Sequence, residues 1–282
     1  MHVPTHAALI APRLSLASCV RTYVTRSTLG AELRVEQRYN HFPAGAFCSM
    51  TWLLQGESTI IRRGDESIHE PLPKLAFAGP QTLPSVSVNP GPVSSFMVIL
   101  IPAAVRALAD VDLAALVNRV VPMETVLGAA WQALGQAVAQ APDDATRVQL
   151  VEAFLEPRWS AVRQEAMPAA DRQRYWVEGL ALRAATSGVG QSLRQVERRI
   201  KQWAGLPLRD LRRLARSEES FIQARTAVES STPNWSDIAA DGGYADQAHL
   251  CRDTRRVTGL SPTELKKAVL EDEGFWLYRL WE

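Results

Sequence analysis

Residues 235–252, Trp235-Ser-Asp-Ile-Ala-Ala-Asp-Gly-Gly-Tyr-Ala-Asp-Gln-Ala-His-Leu-Cys-Arg252, read as a short helix, a glycine turn and the start of a second helix. Ile238 and Ala239 give the first helix a small apolar face, and Gly242-Gly243 permits a sharp turn because glycine carries no Cβ. Asp246 is a good N-cap, its carboxylate able to accept from a free backbone N–H in the following turn. This is helix-turn-helix syntax, in which one helix positions another for recognition. In the second helix Leu250, Thr254 and Val257 share an inward face, leaving Ala248, Arg252 and Arg255 outward, with Gln247 and His249 near the helix start.

The pattern has an earlier copy. A shift of 54 residues lays Ser192 over Asp246, Val196 over Leu250, Ile200 over Thr254, Trp203 over Val257, Gly205 over Gly259 and Leu211 over Leu265. Each copy opens on an N-cap and closes on a glycine suited to a left-handed residue. In the first, Leu193, Val196, Ile200 and Trp203 are expected to share the buried face, with Arg194, Arg198 and Lys201 on another. Between the copies, Leu208 to about Glu229 runs without proline and reads as one connecting helix, about 33 Å long at about 1.5 Å per residue. One turn of B-DNA advances about 34 Å, so such a connector suits two recognition helices in successive major-groove segments.

These strings, Ser192-Leu-Arg-Gln-Val-Glu-Arg-Arg-Ile-Lys-Gln-Trp-Ala-Gly205 and Ile238 to Arg252, ending in Thr258-Gly-Leu-Ser-Pro262, resemble the AraC/XylS family of bacterial transcription regulators. The resemblance covers roughly the last hundred residues. It implies sequence-specific binding of double-stranded DNA and transcriptional control, with RNA polymerase as a partner if the protein activates. It also implies a cupin-like front domain that senses a small-molecule effector or forms a homodimer. One departure is visible. The family places two helices before the first recognition helix, whereas Trp176 to Ser187 followed by Gly188-Val-Gly190 leaves room for little more than one, so an abbreviated first unit is expected.

The charge distribution fits a polyanionic partner. The net charge of the 282 residues is only +1, yet Arg194, Arg198, Arg199, Lys201, Arg209, Arg212, Arg213 and Arg216 face only Glu197 and Asp210 within residues 192–216. Arginine reads guanine by donating to O6 and N7 together, and glutamine can pair with adenine, so Arg194, Arg198, Arg252 and Gln247 are the candidates for base contact. For each arginine, phosphate contact or plain solvation is the alternative. Glu197 and His249 join the DNA-binding set by family correspondence. Arg199, Arg209, Arg212, Arg213, Arg255 and Arg256 are assigned to DNA phosphates or local carboxylates, since most protein–DNA hydrogen bonds position rather than specify.

Composition, 46% apolar and 22% charged, excludes disordered, collagenous and coiled-coil classes and suits about two packed cores. The apolar run from Phe96 to Val105 is about half of the ~20 residues a bilayer requires, and with no secretory leader visible a cytoplasmic protein is expected. Cys19, Cys48 and Cys251 are expected as free thiols, and His41 and His69 lack metal-ligand spacing, so neither metal nor cofactor is expected.

Strand signals occupy residues 33–101: Leu33–Tyr39, Phe47–Gln55, Ser58–Arg63 and Ser94–Ile101, with prolines at 71, 73, 80, 84, 90 and 92 confining strands to short or edge positions. Helical spacing follows from Pro102 through Val126–Val138 and Val148–Leu155, stripes that either cover the sheet or dimerise. Phe47, Met50, Trp52, Phe77, Phe96 and Met97 either line an effector cavity or fill an ordinary core. The expected fold is α+β and multidomain. A β-sandwich or cupin-like domain with covering helices spans residues 1–166, a linker follows at Ala166–Ala170, and an all-α domain of two helix-turn-helix units joined by a long helix spans 171–282. The aromatic tail Phe275–Trp281 is expected to dock on a helix face or on the front domain. The competing reading is a cupin-like small-molecule enzyme, or a sensor, with a degenerate helical domain. Against the enzyme, the sequence shows no nucleophile elbow and no phosphate loop.

Overall fold

The computed structural model describes residues 4–163, 173–187, 192–230 and 233–280, with only the backbone for 227–230. The expected linker at 166–170 lies outside the described residues. The front half contains β1 (His6–Ile10), β2 (Val20–Ser27), β3 (Tyr39–Phe42), β4 (Cys48–Gln55), β5 (Thr59–Arg63), β6 (Glu66–Pro71), β7 (Leu75–Ala78), β8 (Ser85–Val88) and β9 (Ser94–Leu100). It continues with α1 (Pro102–Ala109), β10 (Val120–Pro122), α2 (Ala129–Gln140) and α3 (Asp144–Val162). The helical half contains α4 (Gln173–Thr186), α5 (Leu193–Ala204), α6 (Leu208–Ser230), α7 (Trp235–Asp241), α8 (Gln247–Thr258), α9 (Pro262–Glu271) and α10 (Trp276–Leu280).

The strands form two antiparallel sheets, one of six in the order β1-β2-β9-β4-β7-β10 and one of four in the order β3-β8-β5-β6. Proline placement follows from its missing donor. Pro71 closes the edge strand β6, while Pro73, Pro80, Pro84, Pro90 and Pro92 fall between strands.

Strand alternation gives the larger sheet two different faces. Met50 and Trp52 of β4 and Phe96 and Val98 of β9 are fully buried toward the helices, where Trp52 Nε1 donates to the Gly135 carbonyl of α2 at 2.9 Å. Ser49, Thr51, Met97 and Ile99, of opposite parity, turn toward the smaller sheet. The helical stripes are used inside the chain: Trp131, Leu134, Val138, Val151 and Leu155 are buried, and Trp131 meets Phe154 edge-on at 4.9 Å. Asp143 caps α3 by accepting from the Thr146 N–H at 2.8 Å.

The structure corrects several expectations. Leu33–Tyr39 is not a strand; Val35–Arg38 forms a 3-10 turn before β3 begins at Tyr39. The alternation is broken because Arg38 folds back, donating through Nε to the Leu33 carbonyl at 3.1 Å and through Nη1 to the Pro90 carbonyl at 2.9 Å. Strands β1 and β2 precede the expected strand region, and β10 follows α1. Val126 and Leu127 lie before α2 rather than within it. Leu193, expected on the buried face of its helix, is 88% exposed. It occupies the first turn of α5, while the contacts that bury this helix are made further along, at Ile200 and Ala204.

One core runs through both halves, joining Cys19, Phe77 and Trp159 to Ile200, Leu211, Leu214 and Val257. Cys19 and Cys48 are buried free thiols, and burial pushes the Cys19 thiol up to about 12. Cys251 is free and half-buried. The aromatic tail docks on the front domain, as far as it is described. Among the described residues no helix is long and apolar enough to cross a membrane, and no group of three or more His, Cys, Asp or Glu is placed to hold a metal ion.

Candidate nucleic-acid interface

Two capped helices dominate the helical half. Ser192 and Gln195 form a reciprocal capping box at the start of α5: the Ser192 Oγ accepts from the Gln195 N–H at 3.4 Å, and the Gln195 Oε1 accepts from the Ser192 N–H at 3.3 Å. Asp246 Oδ1 accepts from the His249 N–H at 2.6 Å at the start of α8. Gly205 and Gly259 end the two helices at φ +76° and +83°. Ahead of α8, Gly243 turns the chain at φ +70°, and a Cβ on Gly242 would lie 2.9 Å from the Ile238 carbonyl. Ile238, Ala239, Tyr244 and Leu250 form the small core that sets α7 against α8. The connecting helix α6 has 23 residues, so it spans about 34 Å at about 1.5 Å per residue. Before α5, the single described helix α4 packs on α5 and α6. The Gly188–Gly190 stretch lies outside the described residues.

The candidate DNA-binding residues divide by how they are engaged. Arg194, Arg198 and Arg252 are exposed, and among the described residues no hydrogen bond or ion pair holds them. Gln247 is exposed at the first position of α8, its Oε1 accepting from the Ser236 hydroxyl of α7 at 3.2 Å. Glu197, also exposed, is engaged within the chain: its Oε1 accepts from the Leu208 N–H at 3.2 Å and so caps α6. His249 is half-buried, with Nδ1 accepting from the Ala245 N–H at 3.4 Å and the ring edge-on to Tyr244 at 5.2 Å.

The six arginines assigned to phosphate divide in the same way. Arg199 donates through Nε and Nη2 to the Ala184 carbonyl, at 3.1 and 2.7 Å, closing the C-terminal end of α4. Arg212 bonds Glu178 at 3.3 Å and Arg213 pairs with Asp210 at 3.2 Å. Arg209 is 86% exposed and 3.9 Å from Asp210. Arg255 lies 3.6 Å from Glu264, and Arg256 is exposed, with no partner among the described residues.

A network that the sequence did not single out braces α8 on α6. Arg216 Nη2 pairs with Asp253 Oδ2 at 2.6 Å, and its guanidinium lies 4.4 Å from the Tyr244 ring centroid. His249 Nε2 approaches the same carboxylate at 3.9 Å. Burial raises the Tyr244 phenol above its ordinary value, so it stays protonated and can share a hydrogen bond with Ser220 Oγ at 3.4 Å. Asp253 follows Arg252 and is buried, a position where an unexplained acid signals an internal partner.

Both recognition helices meet the front domain at their C-terminal ends. A Cβ on Gly205 would stand 3.0 Å from the Leu113 carbonyl, and Arg106 Nη1 donates to the Gln202 carbonyl at 3.4 Å. The Ala44 N–H donates to the Val257 carbonyl of α8 at 2.8 Å. Arg21 of β2 pairs with Glu218 of α6 at 2.5 Å.

Between the two sheets lies a cavity of about 540 Å³. Of the six residues expected to line such a space, Phe47 and Met97 do, whereas Met50, Trp52, Phe77 and Phe96 belong to the core facing the helices. The helical half completes the cavity wall through Gln173, Leu214, Glu218, Phe221 and Val257.

Paired, capped helices of this kind, each preceded by a helix and presenting free arginines, define a DNA-binding helix-turn-helix protein. Residues 186–268 match the family model described as a helix-turn-helix domain. The C-terminal region is a helix-turn-helix domain of the AraC type. No curated protein matches the chain. Among solved structures, ToxT from Vibrio cholerae is similar at 10% identity and a TM-score of 0.40, over 93% of this chain and 96% of that one. Unsaturated fatty acid bound wild-type ToxT from Vibrio cholerae strain SCE256 is similar at 12% identity and a TM-score of 0.37, over 80% of this chain and 93% of that one.

Proposed function

We propose that this chain is a sequence-specific transcription regulator in which residues 171–282 bind double-stranded DNA and residues 1–166 sense a signal. The observation that carries the reading is the presence, on two matched helices, of exposed arginines that nothing in the described protein engages. Leaving Arg194, Arg198 and Arg252 solvated and unpaired keeps their planar donors available for guanine O6 and N7. Gln247 faces adenine from the first turn of α8. Glu197 and His249 act from the same surface by holding the helix starts in place. Arg209, Arg255 and Arg256 clamp phosphates, Arg212 and Arg213 contribute the donors left over from their internal bonds, and Arg199 supports the interface by holding the end of α4.

The sensing site is the sandwich cavity, because it touches both the front domain and the helix connecting the two units. The protein works in the cytoplasm without catalysis or cofactor, contacts RNA polymerase if it activates, and self-associates through the front domain if its mass in solution is that of a dimer. The deciding experiment is selection of genomic DNA fragments by the purified protein at physiological salt, with the Gln247→Ala, Arg252→Ala double variant as control. A short enriched motif that the variant loses supports the reading. Equal enrichment by both proteins removes Gln247 and Arg252 from the interface.

A further inference from the structure

After α9 the chain returns to the front domain and covers one end of the sandwich cavity. Glu273 Oε1 lies 2.6 Å from Arg26 Nη2 and also accepts from the Thr5 hydroxyl at 2.7 Å, and the Arg26 side chain is only 5% exposed. Trp276 Nε1 donates to Asn40 Oδ1 at 3.0 Å, with the Arg26 guanidinium 5.0 Å from the indole ring centroid. Phe275 stacks on His41 with centroids 4.1 Å apart. Arg26, Asn40, Trp276 and Leu277 all line the cavity. The same segment is fastened to the second helix-turn-helix unit: Arg279 Nε donates to the Val269 carbonyl at 3.0 Å, and Phe275 and Tyr278 share a small core with Leu265. Opening the cavity at this end and detaching the second unit from β3 therefore involve the same residues.

The lining indicates what kind of molecule would open it. Both guanidiniums at the wall are already neutralised, Arg21 by Glu218 and Arg26 by Glu273. The remaining polar groups are hydroxyls and amides, including the relay in which Asn40 Nδ2 and the Ser58 hydroxyl each donate to Ser87 Oγ at 3.2 Å. Leu53, Ile60, Met97 and Ile99 supply apolar surface. An occupant complementary to such a site carries no net charge, has an apolar body, and offers a hydroxyl or N–H to the oxygen that Trp276 now uses.

We propose that Glu273–Leu280 is a latch. Docked, it seals the cavity with Trp276 and adds a tether between the second unit and β3; an uncharged amphipathic molecule that takes Asn40 Oδ1 displaces it and leaves that unit held by the Ala44–Val257 bond and the shared core, with more freedom to adjust to DNA. The regulatory meaning rests on the DNA-binding function proposed above, but the latch itself is tested without DNA, so the two fail separately.

The test is hydrogen exchange in the full-length protein, combined with titration by Nile red, an uncharged solvatochromic dye. In Trp276→Ala, exchange across β3 and residues 273–280 is expected to rise at least tenfold while α5 and α8 keep their protection. Nile red is expected to bind with one-to-one saturation that the unaltered protein lacks, and to lose that binding when Thr51→Phe fills the cavity in the same chain. Unchanged exchange, or dye uptake indifferent to Thr51→Phe, overturns the latch. If Trp276→Ala fails to fold, Trp276→Phe keeps the ring and removes only the N–H bond to Asn40. It is then expected to raise exchange in the segment at least threefold, and no change there is equally decisive against the proposal.

Discussion

Replacing Arg252 by alanine separates base reading from general attraction. The side chain is exposed and engaged by no partner among the described residues, so its removal should change folding stability by no more than about 0.5 kcal/mol. A bidentate arginine–guanine contact discriminates by about 1–3 kcal/mol, which corresponds to roughly 5- to 150-fold in affinity for the selected site. Arg256 lies on the same helix, also exposed and without a described partner, and serves as the internal comparison. Its replacement should weaken selected and random DNA alike and lower the slope of log affinity against log salt by about one. The assay is fluorescence anisotropy with a labelled duplex carrying the selected motif and a scrambled duplex, over a salt series from about 50 to 200 mM. For Arg252→Ala the loss should fall on the motif and spare the scrambled sequence. An equal loss on both duplexes would show that Arg252 contacts phosphate, and no loss on either would refute the orientation of α8 proposed here.

Three further outcomes are expected. Asp246→Ala removes the carboxylate that caps α8 and should lower stability by about 0.5–2 kcal/mol, seen as a lower midpoint in urea, with weaker DNA binding at unchanged specificity. Gly205→Ala places a Cβ at φ +76°, 3.0 Å from the Leu113 carbonyl, and should cost at least about 1–2 kcal/mol; exchange at residues 113–116 should rise with that in α5. Burial against Phe275 holds the His41 imidazole below its ordinary value of 6.5, with Asp272 opposing and Arg62 adding to the shift. The undocked state therefore binds the proton more readily, so docking of the C-terminal segment should be insensitive to pH above about 6.5 and weaken as pH falls below it. Protection factors of residues 273–280, taken against the intrinsic exchange rate at each pH, that stay flat between pH 7 and pH 5 would contradict this.

The helical half was legible because its signals are local. A cap, a glycine at positive φ and a stripe of apolar residues at helical spacing are written within a dozen residues, and α5, α7 and α8 follow them closely. Leu193 failed because periodicity identifies a helix face but not how far along the helix its neighbours extend. The sheets were harder. The order β1-β2-β9-β4-β7-β10 is set by pairings between strands far apart in the chain, which no window of sequence contains. The cavity depended on parity: on β4 the large residues Met50 and Trp52 face the helices, and the small ones, Ser49 and Thr51, face the other sheet. Of the two readings left open for the six large residues, core filling therefore holds for Met50, Trp52, Phe77 and Phe96, and cavity lining for Phe47 and Met97. The internal bonds of Glu197 and Arg199 were invisible for a related reason, since their partners, the Leu208 N–H and the Ala184 carbonyl, are backbone groups whose availability depends on where neighbouring helices stop and start.

The docking of Glu273 and Trp276 against β2 and β3 bears on the order in which the chain is made. Thr5 bonds Glu273 across 268 residues of sequence, and Arg26 is buried against the same carboxylate. During synthesis, strand β2 is complete while the residues that neutralise its arginine are still untranslated. At about 5–20 residues per second, the interval is on the order of ten to fifty seconds. Until Glu273 is made, Arg26 stays hydrated at the open end of the sandwich cavity, and the docking that buries it is among the last contacts the described chain can form.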